Sequence, residues 1–263
     1  MTATTGEWVA ALEASYRRNA DAVDALADGA ETGPSYCSEW TVAQVLSHLG
    51  SGAEIFGLIL DAGLTGSPAP GPDAFGPIWE AWNGRSPADQ AADSVVANRA
   101  FLDRIASIDP AAREAWSLEF FGARRSFDQV LQMRLGEHTL HTWDIVVEGD
   151  PSATVPDDAA TLLVDRVDEL VGRLGKPAEP PWRVAVTTTD PARHLVLSAG
   201  ESGAELRAAG TGDGAPDDPP SVVLPAESLI RLVYGRLDAE HTPASVTADG
   251  IDLDEVRRTF PGF

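Results

Sequence analysis

The apolar pattern of this chain changes period at Lys176, and that change limits the folds open to it. Before it, apolar residues recur every three to four positions, the period of a helix with one buried stripe. Trp8, Leu12, Tyr16, Val23 and Leu26 follow that period in the first segment, and Val45, Leu49, Ile55, Phe56 and Ile59 in the second. Beyond Lys176, W-R-V-A-V-T-T-T and H-L-V-L-S-A read as strands with a turn at Asp190-Pro191, followed by A-E-L-R-A and S-V-V-L. The segment K-P-A-E-P-P between the two halves reads as a proline-rich linker. The fold expected is α+β. An up-and-down four-helix bundle spans residues 1–176, with no strand in the first 150, and a small α+β domain spans 177–263. A chain of 263 residues is long enough for two such cores.

Local signals place the helix ends. Thr41 with Gln44, and Ser126 with Gln129, form capping-box patterns. Ser86-Pro87 offers an N-cap followed by proline at the first helical position, opening a helix to about Ile108. A short helical piece is expected at Ile78–Trp82, and a loop from about 109 to Ser126. A helix from Pro156 closes at Gly175, and A-E-S-L-I-R-L-V-Y closes at Gly235. A short strand S-V-T-A and a last helix L-D-E-V-R-R-T-F finish the chain. G-T-G-D-G-A-P-D-D-P-P reads as a long exposed loop.

Acidic residues outnumber basic ones 41 to 19, for a formal charge of -22. A surface of that sign repels nucleic acid and anionic membranes, so neither is expected as a partner. Cys37 is the only cysteine, which rules out an internal disulfide and fits a reducing cytoplasm. The N-terminus lacks a basic stretch followed by an apolar core, and the apolar runs look too short to span a bilayer.

The chemistry is concentrated in R-L-G-E-H-T-L-H-T-W-D, from Arg134 to Asp144. On a helix Glu137 and His141 stack one turn apart on one face. A carboxylate and an imidazole so placed can grip a divalent metal. Asp144, a turn further on, could fix the tautomer of His141. A solvated face of polar pairs would show the same spacing. His138 points about 100° away from Glu137 and competes with His141 as ligand. His48, in the apolar second helix, is either the third ligand or a core histidine bonded to a carbonyl. Two histidines and one carboxylate with an open position suit zinc or another divalent ion. Cys37 reads as a nucleophile or a small packed residue, and Arg236 as an anion-binding residue or a surface arginine paired with Asp238. His194 and His241 have no partner nearby in sequence. No nucleophile elbow, P-loop or dinucleotide fingerprint is present.

C-S-E-W-T-V-A-Q-V-L-S-H-L, Cys37 to Leu49, resembles the opening motif of the mycothiol-dependent maleylpyruvate isomerase family, within the DinB-like metal-binding superfamily. Ser38 stands where that motif usually has proline. The Arg134–Asp144 stretch resembles the family's second motif, R-x-x-E-x-x-x-H-x-x-D. G-R-L-D and F-P-G-F near the C-terminus resemble its smaller, sterol-carrier-like domain. The resemblance implies a DinB-like bundle with His48, Glu137 and His141 as metal ligands and Asp144 supporting them at the catalytic centre. It implies Arg236, with Arg134, as residues that meet an anionic group of cofactor or substrate. It also implies mycothiol as cosubstrate, a divalent metal (zinc), and a small electrophile attacked by a metal-activated thiolate, in a transferase or an isomerase. Two other readings stand beside this one: a non-catalytic small-molecule-binding protein with a structural or vestigial metal, and a metal-dependent hydrolase that uses no thiol.

Overall fold

The computed structural model describes residues 3–210 and 219–262, which form two compact units, 1–150 and 151–263. The expected loop after Gly210 lies largely outside the described residues.

Four long helices make the core of the first unit: α1 (Thr5–Asp24), α2 (Val42–Thr65), α4 (Pro87–Ser107) and α6 (Phe127–Val146). Each of α1 and α2 packs on both α4 and α6. The capping boxes at Thr41 and Ser126 are formed as the sequence predicts, and a third, Thr4 with Glu7, opens α1. Side chains at N-cap and N3 each satisfy an otherwise orphaned main-chain donor, so these helices start at defined residues. The helix α3 (Pro72–Asn83) is longer than expected and lies on α2. Its Trp82, 1% exposed, occupies the space that a side chain at Gly50 would fill.

The segment before α6 departs from the expectation of a loop. It holds a short helix, α5 (Pro110–Ala115), and a hairpin of β1 (Ser117–Phe120) and β2 (Ala123–Ser126). Strands therefore do occur before residue 150. The turn residues Phe121 and Gly122 both have positive φ, 51° and 72°. A two-residue hairpin turn with that geometry is usually signalled by Asn-Gly or Asp-Gly, and Phe-Gly hides it.

By length and apolarity α2 is a helix able to cross a membrane, contrary to the sequence reading of its apolar runs. Its apolar face is instead spent on the bundle: Val45, Leu46, Leu49 and Leu60 are fully buried. A core helix of a folded domain passes the same length test.

The second unit carries a five-stranded sheet in the order β5-β4-β3-β6-β7. Its strands are β3 (Trp182–Thr189), β4 (Arg193–Gly200), β5 (Gly203–Ala208), β6 (Ser221–Pro225) and β7 (Thr247–Asp249). Among the described residues only the β3–β6 pair is parallel. Val184, Val186 and Thr188 alternate inward along β3, and α9 (Ala226–Val233) is buried throughout. The last helix is α10 (Leu253–Thr259).

The division between units falls at 150/151 and not at the expected 176/177. The helices α7 (Asp157–Leu163) and α8 (Val167–Leu174) pack on α9, and α8 packs on β5. The proline-rich segment is no free linker. The Lys176 N–H donates to the Thr259 carbonyl at 2.8 Å, and the Ala178 N–H donates to the Gly200 carbonyl at 3.1 Å.

Candidate metal centre

The helix α6 is buried on more than one face, because α1 and α2 both lie against it. Its polar residues Arg134, His138, Thr139, Thr142 and Asp144 are therefore buried, and burial obliges each to find a partner. Two faces divide them. Toward α1, His138 Nδ1 lies 2.9 Å from Ser15 Oγ, and Asn19 Nδ2 donates to Thr142 Oγ1 at 3.2 Å. Toward α2, Glu137 and His141 meet His48. His141, not His138, shares the face with His48. Burial holds the imidazole of His138 well below its usual pKa, and the charges of Arg134, His141 and Arg18 push the same way.

The three residues on the second face converge. Glu137 Oε2 lies 3.2 Å from His48 Nε2 and 3.8 Å from His141 Nε2, and one potential ligand atom from each residue falls within 4.8 Å of the others. The imidazole rings meet edge-on with centroids 4.6 Å apart. The side chains of His48 and Glu137 keep 34% and 39% of their surface accessible, so the cluster is open on one side. Desolvation is the largest influence on Glu137 and opposes its ionisation. The hydrogen bond with His48 and the charges of His141, His48 and Arg134 outweigh it, and its pKa falls to about 2. For His141 burial dominates and lowers the pKa, which favours the neutral, metal-binding form, and the Asp144 carboxylate pulls the other way.

Asp144 is fully buried, and its Oδ2 lies 2.8 Å from His141 Nδ1. With Nδ1 given to the carboxylate, His141 turns Nε2 toward Glu137. The same Oδ2 accepts from Cys37 Sγ at 3.2 Å, and the Tyr36 N–H donates to the Asp144 carbonyl at 3.0 Å. Cys37 is thus a partner of the site's support. These bonds tie the turn before α2 to α6 and bring Trp40 over the imidazoles, its ring centroid 5.4 Å from His48 and 6.2 Å from His141. Sequence reading missed Trp40 as a wall of the site. Its spacing of three from Cys37 was the available signal.

The donor set fits a divalent ion. Two imidazole nitrogens and a carboxylate face one point, one imidazole is oriented by a buried carboxylate, and the side away from the protein is accessible.

The remaining expected site residues are placed differently. Arg134 is 1% exposed and its Nη2 donates to the Leu49 carbonyl and to Asn98. That position inside the bundle does not suit the anion-meeting role expected of it. Arg236 is buried, and its Nη1 donates to the Tyr234 carbonyl at 2.8 Å. His241 is engaged by Asp238, with Nδ1 to Oδ1 at 2.9 Å, and His194 approaches Thr187.

The family model for the mycothiol maleylpyruvate isomerase N-terminal domain matches residues 12–146. The chain belongs to this family. The matched span includes His48, Glu137, His141 and Asp144. Two solved structures resemble the whole chain: the crystal structure of the mycothiol-dependent maleylpyruvate isomerase, and that of a histidine-to-alanine mutant of it. Each is 13% identical, with a TM-score of 0.67 over 95% of both chains. At that identity the likeness establishes the shared fold, in both the helical and the sheet-containing unit. No curated protein matches the chain by sequence.

Proposed function

We propose that this member of the mycothiol maleylpyruvate isomerase family is a metal-dependent S-transferase or isomerase that uses mycothiol against a small electrophile. The observation that carries the proposal is the convergence of His48, Glu137 and His141 on one accessible point. Zinc is the ion that two imidazoles and one carboxylate suit best. His48, Glu137 and His141 would hold the ion, and the chemistry it would supply is a lowered pKa for a thiol bound at its open position. The chain's own residues supply the rest. Asp144 holds the tautomer of His141 and is itself held by Cys37. Trp40 covers the two imidazoles from one side and limits the approach of water and ligand. Arg236 keeps, in this proposal, the anion-binding role that the family resemblance implies, through the planar donors that lysine lacks. Its bond to the Tyr234 carbonyl gives the side chain a set direction. We take the protein to act in the cytoplasm on small molecules, in keeping with its strongly acidic charge.

The test is metal analysis of the purified protein, followed by thiol consumption with mycothiol and a panel of electrophiles. Bound metal and metal-dependent, mycothiol-dependent turnover support the proposal. Turnover that persists without any thiol indicates a hydrolase. Ligand binding without turnover indicates a binding protein. Arg236→Lys should lower turnover at subsaturating substrate while metal content stays at the wild-type level.

A further inference from the structure

Arg134 lies one helical turn before Glu137 on α6, inside the bundle. A buried cation needs its donors satisfied and its charge offset. The two hydrogen bonds of the guanidinium, both from Nη2, go to neutral groups. Nη2 donates to the main-chain carbonyl of Leu49 on α2 at 2.7 Å and to Asn98 Oδ1 on α4. Asn98 Nδ2 donates in turn to the Ser94 carbonyl at 2.8 Å, which leaves its oxygen for the guanidinium. The guanidinium carbon is 5.6 Å from the ring centroid of Phe56 and 5.9 Å from that of Phe101. Gly52 completes the berth, since a Cβ there would come within 2.7 Å of Nη1. Among the described residues no carboxylate hydrogen-bonds Arg134. Burial pulls its pKa down to about 10, and the charge that opposes this is Glu137.

Leu49 follows His48 directly in α2. The bond from Arg134 to Leu49 therefore fixes α2 one residue away from one proposed ligand and α6 one turn away from another. Asn98 adds α4 to the same nitrogen. Few other arrangements would lock three helices at the height of the site with so little freedom, because the guanidinium is planar and its donors have fixed directions. We infer that Arg134 is a positioning residue for the metal site. By bridging α6 to Leu49 of α2 and to Asn98 of α4, it holds His48 against Glu137 before an ion arrives. The inference rests on the metal reading proposed above. Two effects of the arginine oppose each other. Its charge repels an incoming cation, while its hydrogen bonds preform the ligand set, and the second dominates.

Zinc alone is titrated into the metal-free wild type and into His48→Ala, Arg134→Lys, Arg134→Met and Gly52→Ala, each below its unfolding midpoint. Arg134→Lys and Arg134→Met should both bind zinc at least about tenfold more weakly than wild type, the low end of the loss seen when support for a ligand is removed. Lysine keeps the charge and fails to rescue because it lacks the fork. Gly52→Ala keeps the arginine but displaces it, and should weaken zinc by a smaller factor. If Arg134→Met does not fold, Gly52→Ala and Arg134→Lys decide. Wild-type affinity in every folded variant overturns the inference, even where the unfolding midpoint drops, since the arginine then serves stability alone. Tighter binding by Arg134→Met with Arg134→Lys unchanged also overturns it, showing a repelling charge and no positioning. A wild type that takes up zinc no better than His48→Ala removes the metal reading, and the inference with it. A wild type that binds, with Arg134 variants unaffected, removes the inference alone.

Discussion

Two arginines, Arg134 in the bundle and Arg231 in the second unit, are each 1% exposed, yet the two interiors treat them in opposite ways. Arg231 is paired directly with a carboxylate. Its Nε donates to Glu227 Oε2 at 2.7 Å and its Nη2 to Glu227 Oε1 at 2.9 Å, one turn back on α9. Its Nη1 donates to the His241 carbonyl at 2.8 Å, and the Val155 N–H donates to the same glutamate at 3.3 Å. That closed network fastens loops to α9. Arg134 is held by neutral oxygens, and the carboxylate whose charge acts on it, Glu137, faces the accessible site. A buried cation matched locally serves the fold. On the inference above, one whose counter-charge is a proposed metal ligand couples the fold to the site.

The sharpest way to break this comparison is to remove each cation. Arg231→Met strands Glu227 in the interior, and should cost about 3–5 kcal/mol in urea unfolding of the chain at neutral pH, as breaking a buried ion pair does. Adding Glu227→Gln to it should recover part of that loss, because neither partner is then left charged. Arg134→Met strands only neutral acceptors and should cost about 1–3 kcal/mol. Equal costs for the two single variants would erase the distinction drawn here.

Asp144→Asn sharpens the contrast from the ligand side. The amide keeps the shape of the carboxylate but supports the His141 tautomer less well. Zinc affinity should fall by about 10- to 100-fold, as measured by competition with a chelator. A variant that binds like wild type would show that packing alone orients the imidazole.

The smallest effect belongs to an exposed pair. Asp165 and Arg193 form a two-pronged bond, Oδ1 to Nε at 2.5 Å and Oδ2 to Nη2 at 2.7 Å. The Arg193 hydrogen bond lowers the pKa of Asp165 below its ordinary value of 3.8. A depressed carboxylate stabilises the fold above its unfolded pKa, and that contribution is lost as pH falls through the folded one. Asp165→Asn should therefore cost about 0.2–1 kcal/mol at pH 7 and nothing at the acid end of a pH series of unfolding curves below pH 4. A cost of the Arg231 size would mean that solvent screens this pair far less than its exposure implies.

Three of the long helices were legible from the local devices that start them. Thr41 with Gln44, Ser126 with Gln129, and Ser86 before Pro87 each act within one turn, so their neighbours in sequence contain the whole interaction. The hairpin at 117–126 was not legible, because Phe121 takes a backbone conformation its residue type does not announce. The boundary between units was misplaced because prolines read as a linker, while Lys176 and Ala178 hydrogen-bond into the second unit.

Within the site, sequence alone determined that Glu137 and His141 share one face of α6 and that Asp144 follows within reach of the imidazole. Helical periodicity dictates that much whatever surrounds the helix. Sequence alone left open whether His138 or His141 meets His48, whether Arg134 faces an anion or the core, and what holds Asp144. Those questions turn on which helix packs against which face. Only the tertiary structure decided them, by setting α1 beside His138, α2 beside Glu137 and His141, and the Leu49 carbonyl beside the guanidinium of Arg134. The contacts join residues roughly a hundred positions apart, a distance over which no local propensity acts.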